Sequence, residues 1–145
     1  DGGYLEAENA IKAGADYVTV CAVADLLTVK GAFKATQEYG KQLVVDMITI
    51  EDIPGKVKEL EEVGVDVLAV HTGADAQAVG REPIQDLEVM VQCAKKAKIA
   101  VAGGINSKTI AKYVALKPDV IIVGSAIGNA EDPVAEAKAI KEAML

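Results

Sequence analysis

Two short apolar runs in this chain each end in a glycine turn. Ile99-Ala100-Val101-Ala102 runs into Gly103-Gly104-Ile105. About twenty residues further on, Val120-Ile121-Ile122-Val123 runs into Gly124-Ser125-Ala126-Ile127. Glycine lets the main chain approach a ligand closely, and the N–H groups of such a loop and of the helix that follows suit an anion. Gly103, Gly104, Gly124 and Ser125 are therefore candidate phosphate-binding residues. The chain's one histidine, His71, follows Val67-Leu68-Ala69-Val70 and precedes Thr72-Gly73. It stands where a buried strand opens into a loop, and Thr72 belongs to the same loop. Position alone leaves His71 open between a structural role and a proton relay working near neutral pH. Asp46 closes Leu43-Val44-Val45 in the same way. It faces either the mouth of the site or a helix N-terminus, as a cap. Asp25 reads as a cap, and Arg81 and Lys30 read as solvated charges near strand ends.

These residues need one sheet to bring them together. Helical and strand-like stretches alternate along the whole chain: helices over 4–13, 26–39, 53–63, 83–97, 107–116 and 133–144, strands over 17–22, 42–47, 66–70, 98–102 and 119–123. Ser107 and Asp132 read as N-caps. Gly14-Ala15-Asp16-Tyr17 and Gly64-Val65-Asp66-Val67 repeat one phrase, helix end to strand start, and Lys117-Pro118-Asp119-Val120 plays the same part. The period is about 25 residues, that of a βα unit. No linker interrupts it, so residues 1–145 are expected to form a single partial (β/α) barrel domain. The predicted class is α/β, a (β/α)8 TIM barrel with five of eight strands present. Phosphate loops after the last two strands are a barrel trait. An open doubly wound sheet would carry its glycine loop after the first strand.

Lys and Arg number 15 against 22 Asp and Glu, a net charge of −7. There is no basic field for a nucleic-acid backbone, and no apolar run reaches the roughly 18 residues of a membrane span. Neither nucleic acid nor membrane is an expected partner. Cys21 and Cys93 lie in separate apolar stretches and read as buried reduced thiols, which fits a cytoplasmic location. The charged stretch 56–62 reads as a solvated helix face.

Several stretches resemble one known family. Val70-His71-Thr72-Gly73-Ala74-Asp75-Ala76-Gln77-Ala78-Val79-Gly80 resembles the His-Thr-Gly-x-Asp-x-Gln-Ala-x-Gly stretch of 3-hexulose-6-phosphate synthases, in the orotidine 5′-monophosphate decarboxylase superfamily. The two glycine turns resemble that family's phosphate loops. Asp1-Gly2-Gly3-Tyr4-Leu5-Glu6-Ala7-Glu8 resembles the close of its Asp-x-Lys-x-x-Asp motif.

The resemblance implies a lyase of the ribulose monophosphate pathway. Such an enzyme condenses D-ribulose 5-phosphate with formaldehyde through a metal-stabilised enediolate. It also implies His71 as the catalytic proton relay and Asp1 as a catalytic residue reaching across a homodimer. Asp46, from its strand-end place, and Thr72, from the His71 loop, join the candidate substrate-binding residues. The implied cofactor is Mg²⁺, with ligands expected in a missing N-terminal portion and none in this chain, so that the chain alone is expected to be inactive. The alternatives are a 3-keto-L-gulonate-6-phosphate decarboxylase, a non-catalytic barrel fragment that keeps a phosphate site, and an unrelated phosphate-binding isomerase or epimerase.

Overall fold

The computed structural model describes residues 2–145. The described chain opens on α1 (Gly2–Lys12) and alternates through β1 (Tyr17–Cys21), α2 (Leu26–Glu38), β2 (Gln42–Asp46), α3 (Ile53–Val63) and β3 (Val67–His71). A short α4 (Ala74–Ala78) then precedes α5 (Ile84–Cys93), and β4 (Lys98–Ala102) leads to α6 (Ile110–Val114). β5 (Val120–Ile122) is followed by a short α7 (Ser125–Gly128) and by α8 (Pro133–Ala143). The strands form one five-stranded sheet in the order β1-β2-β3-β4-β5. Every pair is parallel, as the 25-residue alternation requires.

The sheet has two unlike faces. Leu43, Val45, Leu68, Val70 and Val101 point outward and are fully buried against Val29, Val57, Leu60, Leu87, Met90, Ile110 and Tyr113 of the helices. Each such side chain is worth about 1.5–3 kcal/mol of burial. The opposite face carries a small cluster of Val67, Ala69 and Ala100 with Val44 packed on it. Cys21 belongs to this face, level with Asp46 in the register. Neither cysteine is bridged, but Cys21 is exposed and Cys93 half-buried. The expectation of two buried thiols therefore fails at Cys21: among the described residues, no helix covers its face of β1.

The repeated Gly-x-Asp phrase has a structural role. Leu43 N–H on β2 donates to Asp66 Oδ2 (2.9 Å), while Lys98 N–H on β4 donates to the Asp66 carbonyl (2.9 Å). One residue thus ties β3 to both neighbours. Asp119 ties the start of β5 to β4 alone: its Oδ2 accepts from Ile99 N–H (2.8 Å), and its own N–H donates to Ile99 O (2.8 Å). Helix starts follow the expected chemistry at Asp25 and Asp132, whose side chains accept from Leu27 N–H and Ala135 N–H.

Four details differ from the sequence pattern. Ser107 does not cap α6. Thr109 holds that position, Asn106 Oδ1 accepts from Lys108 and Thr109 N–H, and Ser107 donates through N–H and Oγ to Glu136 on α8. The helix expected over 83–97 ends at Cys93, because Ala94 turns to extended backbone (φ −72, ψ 130). The short α4 and α7 have no counterpart in the pattern, being too short to show a periodicity. Glu61 leaves the solvated face of α3: its Oε1 accepts from Lys95, Lys96 and Ala97 N–H at 2.8, 2.7 and 3.0 Å.

Two predictions follow from these bonds. Asp66→Ala strands the N–H of fully buried Leu43 and should cost about 1–3 kcal/mol, read as a lower urea midpoint at unchanged m. The second concerns acid. Burial pushes the Glu61 carboxyl up, but its three backbone donors together outweigh this and hold it below its ordinary 4.5. A lowered folded pKa gives stability that is present above the unfolded value and lost as pH falls through the folded one. Glu136, held low by the N–H and hydroxyl of Ser107, acts in the same direction. Urea midpoints should therefore fall as pH drops below 4.5, and Glu61→Gln should flatten that acid limb while leaving the Glu136 part.

Candidate active site

All five strands run the same way, so their C-terminal ends form one rim. Asp46 is the last residue of β2 and His71 the last of β3. The register sets Asp46 beside Ala69, and His71 lies one pleat repeat further along the same face. The imidazole reaches back across that step: Nδ1 lies 2.8 Å from Asp46 Oδ2. The other oxygen, Oδ1, accepts from Ile48 N–H (2.9 Å). Asp46 is thus clamped by its own loop and is not a helix cap; that role at α3 belongs to Asp52, whose Oδ1 accepts from Gly55 N–H. The two side chains are 32% and 20% exposed, His71 and Asp46 in turn. A carboxylate on Nδ1 places the proton of the neutral ring there and turns the Nε2 lone pair toward the open side.

The glycine turns lie on the same rim. Gly103 sits at φ +120, and a Cβ there would come within 2.5 Å of Thr72 O and 3.0 Å of Thr72 N. Only glycine lets the β4 turn lie this close to the β3 loop. Gln77 Nε2 donates to the same Thr72 carbonyl (2.7 Å), so Gln77 pins the loop. Gly124 differs: its φ is −114 and nothing lies within 4 Å of a Cβ built on it. The space beside it is open.

One cavity of about 360 Å³ is lined by Asp46, His71, Gly103, Gly104, Gly124 and Ser125 together. Among the described residues, none accepts a hydrogen bond from the N–H of Gly104 or Ser125. Thr72 is buried and lines a neighbouring cavity, not this one; its main chain packs against Gly103. Asp1 lies outside the described residues. Asp75 and Arg81 line a neighbouring cavity with the 47–51 loop, a grouping that no sequence motif announces. Among the described residues no group of three or more His, Cys, Asp or Glu converges to hold a metal, and no helix is long and apolar enough to cross a membrane.

A parallel sheet whose C-terminal rim gathers a histidine–carboxylate pair and two glycine turns into one cavity defines a (β/α)-barrel architecture with its site at the usual end. Residues 1–140 match the orotidine 5′-phosphate decarboxylase / HUMPS family, and the chain belongs to it. It is 45% identical over 144 residues to 3-hexulose-6-phosphate synthase 3 of Staphylococcus saprophyticus, covering 99% of this chain and 69% of that relative. The crystal structure of 3-hexulose-6-phosphate synthase from Salmonella typhimurium superposes with a TM-score of 0.97 at 54% identity, over 99% of this chain and 68% of that one. The 3-keto-L-gulonate-6-phosphate decarboxylase of Vibrio cholerae gives 0.81 at 26% identity, over 99% and 67%. Of these two groups, the similarity to the synthases is the stronger.

The histidine–carboxylate pair makes a direct prediction. In ¹⁵N spectra of the neutral ring, the single histidine should show a protonated Nδ1 and a bare Nε2. Asp46→Ala should shift the population to the Nε2–H form that free imidazole side chains favour. An unchanged tautomer in that variant would mean that Asp46 does not orient the ring.

Proposed function

We propose that this chain forms the phosphate-gripping, proton-relaying part of a 3-hexulose-6-phosphate synthase. The reaction would join D-ribulose 5-phosphate to formaldehyde and give 3-hexulose 6-phosphate. The observation that carries this reading is the shared cavity: an oriented histidine and two glycine turns face one space, in a chain 54% identical to a synthase. In this reading the free N–H groups of Gly104 and Ser125 receive the phosphate ester, and the close approach of Gly103 to Thr72 holds the β4 turn against the β3 loop.

The chemistry then falls to His71. Its Nε2 takes the C1 proton of the ketose, and the electron pair left behind forms the C1–C2 enediolate. C1 attacks the aldehyde carbon, whose carbonyl π pair moves to oxygen, and that oxygen recovers the proton from Nε2. Protons balance, and His71 ends as it began. Asp46 favours the imidazolium formed midway and keeps the ring aimed. A 3-keto-L-gulonate-6-phosphate decarboxylase would pass through a similar enediolate, but 26% identity against 54% favours the synthase.

Among the described residues no group of three or more His, Cys, Asp or Glu converges to hold the implied magnesium, and no step here runs through it. The sequence also holds no Asp-x-Lys-x-x-Asp motif. In this reading the 145 residues bind the sugar phosphate, while turnover draws on groups that they do not include. A homodimer with Asp1 beside the partner's site and a cytoplasmic location belong to the same proposal.

Calorimetric titration tests the grip. D-ribulose 5-phosphate should bind the 145-residue chain, and Gly124→Leu should weaken it by about tenfold or more, roughly 1.4 kcal/mol. His71→Ala should leave affinity nearly as it was, since the ring acts on a proton and not on the phosphate. No binding by the unaltered chain, or full affinity in the Gly124 variant, would end the proposal.

A further inference from the structure

His71 stands between two cavities. The glycine cavity lies on one side. On the other, a cavity of about 500 Å³ opens between the 47–51 loop and α4, and His71 and Ala74 line both. Its charged groups are Glu51, Asp75, Asp86 and Arg81. Carboxylates outnumber the one guanidinium, so the field inside opposes a phosphate ester. An uncharged molecule meets no such barrier, and the cavity ends at the same imidazole.

Resting on the proposed function, we infer that this acidic cavity admits a small neutral aldehyde, the second substrate, and delivers it to the carbon that His71 deprotonates. The sugar phosphate enters and stays on the glycine side. The two substrates are sorted by charge, and neither has to pass the other. The bound sugar phosphate leaves the aldehyde's route open, as a condensation in which the enediolate must form before the aldehyde reacts requires. The volume exceeds what a one-carbon aldehyde fills, so the cavity acts as an antechamber, and other short neutral aldehydes fit it.

Ala76 and Thr49 line the acidic cavity and not the glycine cavity, and Gly104 and Ser125 line the glycine cavity and not the acidic one. Amide NMR on the 145-residue chain separates them. Formamide serves as an unreactive neutral carbonyl close to formaldehyde in size, and D-ribulose 5-phosphate as the anion. Formamide should shift Ala76 and Thr49, ribulose 5-phosphate should shift Gly104 and Ser125, and His71 should respond to both. Ala76→Phe should weaken the formamide response about tenfold and leave the ribulose 5-phosphate titration within about twofold. Glu51→Lys, at an exposed position on the 47–51 loop, provides a second arm that does not depend on how the Phe variant packs: it should let ribulose 5-phosphate reach Ala76. Ribulose 5-phosphate shifting Ala76 in the unaltered chain would overturn the inference. So would formamide shifting only the glycine side, or neither side. Silence of Gly104 and Ser125 toward ribulose 5-phosphate, with Ala76 still answering formamide, would instead count against the proposed function and leave the cavity's preference for neutral carbonyls standing.

Discussion

The parallel register of five strands is the constraint on which everything else in this molecule rests. It brings the last residues of β2 and β3 to one rim, and it puts Asp46 and His71 on the same face one pleat repeat apart. At that spacing an imidazole can turn back and meet a carboxylate, at 2.8 Å. A register slip by one residue would send both side chains to opposite faces. Asp66 and Asp119 guard against this by pinning the N–H of the second residue of a neighbouring strand with a side chain. The residues that set the site's geometry thus sit at the far end of the strands from the site itself.

The second constraint is electrostatic. The chain carries a net charge of −7, and its field works against an anionic ligand. In the proposed function the glycine cavity would answer with main-chain N–H dipoles, which act at short range and need no cationic side chain. Selection there would depend on close fit to two turns, and the first of these is held against the β3 loop by Gly103, where no Cβ is tolerated beside the Thr72 main chain. Acidic groups elsewhere on the rim are then compatible with the proposed grip on a sugar phosphate. Long-range attraction plays little part in it, so its affinity would depend on salt less than that of a lysine-lined site.

Much of this was legible in the residues. All five strands, their order and their common direction follow from the 25-residue alternation, since a strand buried on both faces reads as an apolar run and each crossover has one hand. The rim position of His71, Asp46 and both glycine turns follows from where those runs end. Other features carried no signal. A helix of four or five residues such as α4 or α7 has no period to detect. The choice of Asn106 over Ser107 as the side chain that takes the free N–H groups ahead of α6 turns on Glu136, 29 residues away, which claims Ser107 first. Glu61 looked like one more charge on a wet helix; only the fold brings the turn before β4 over it.

Asp46 shows the same limit from the other side. Its sequence context allowed a cap or a site residue, and the two roles ask for one thing, a carboxylate oxygen held toward an N–H. The structure uses both oxygens. Oδ1 takes the N–H of Ile48, the kind of local bond a cap would make, and Oδ2 takes the ring of His71. Either bond alone would leave the carboxylate free to rotate about its last torsion. Together they fix it, and the imidazole inherits that fixity through a single hydrogen bond. The local preference of aspartate for a nearby main-chain N–H and the long-range pairing of two strands therefore end on the same side chain. The ring owes its aim to a loop on the neighbouring strand and not to its own.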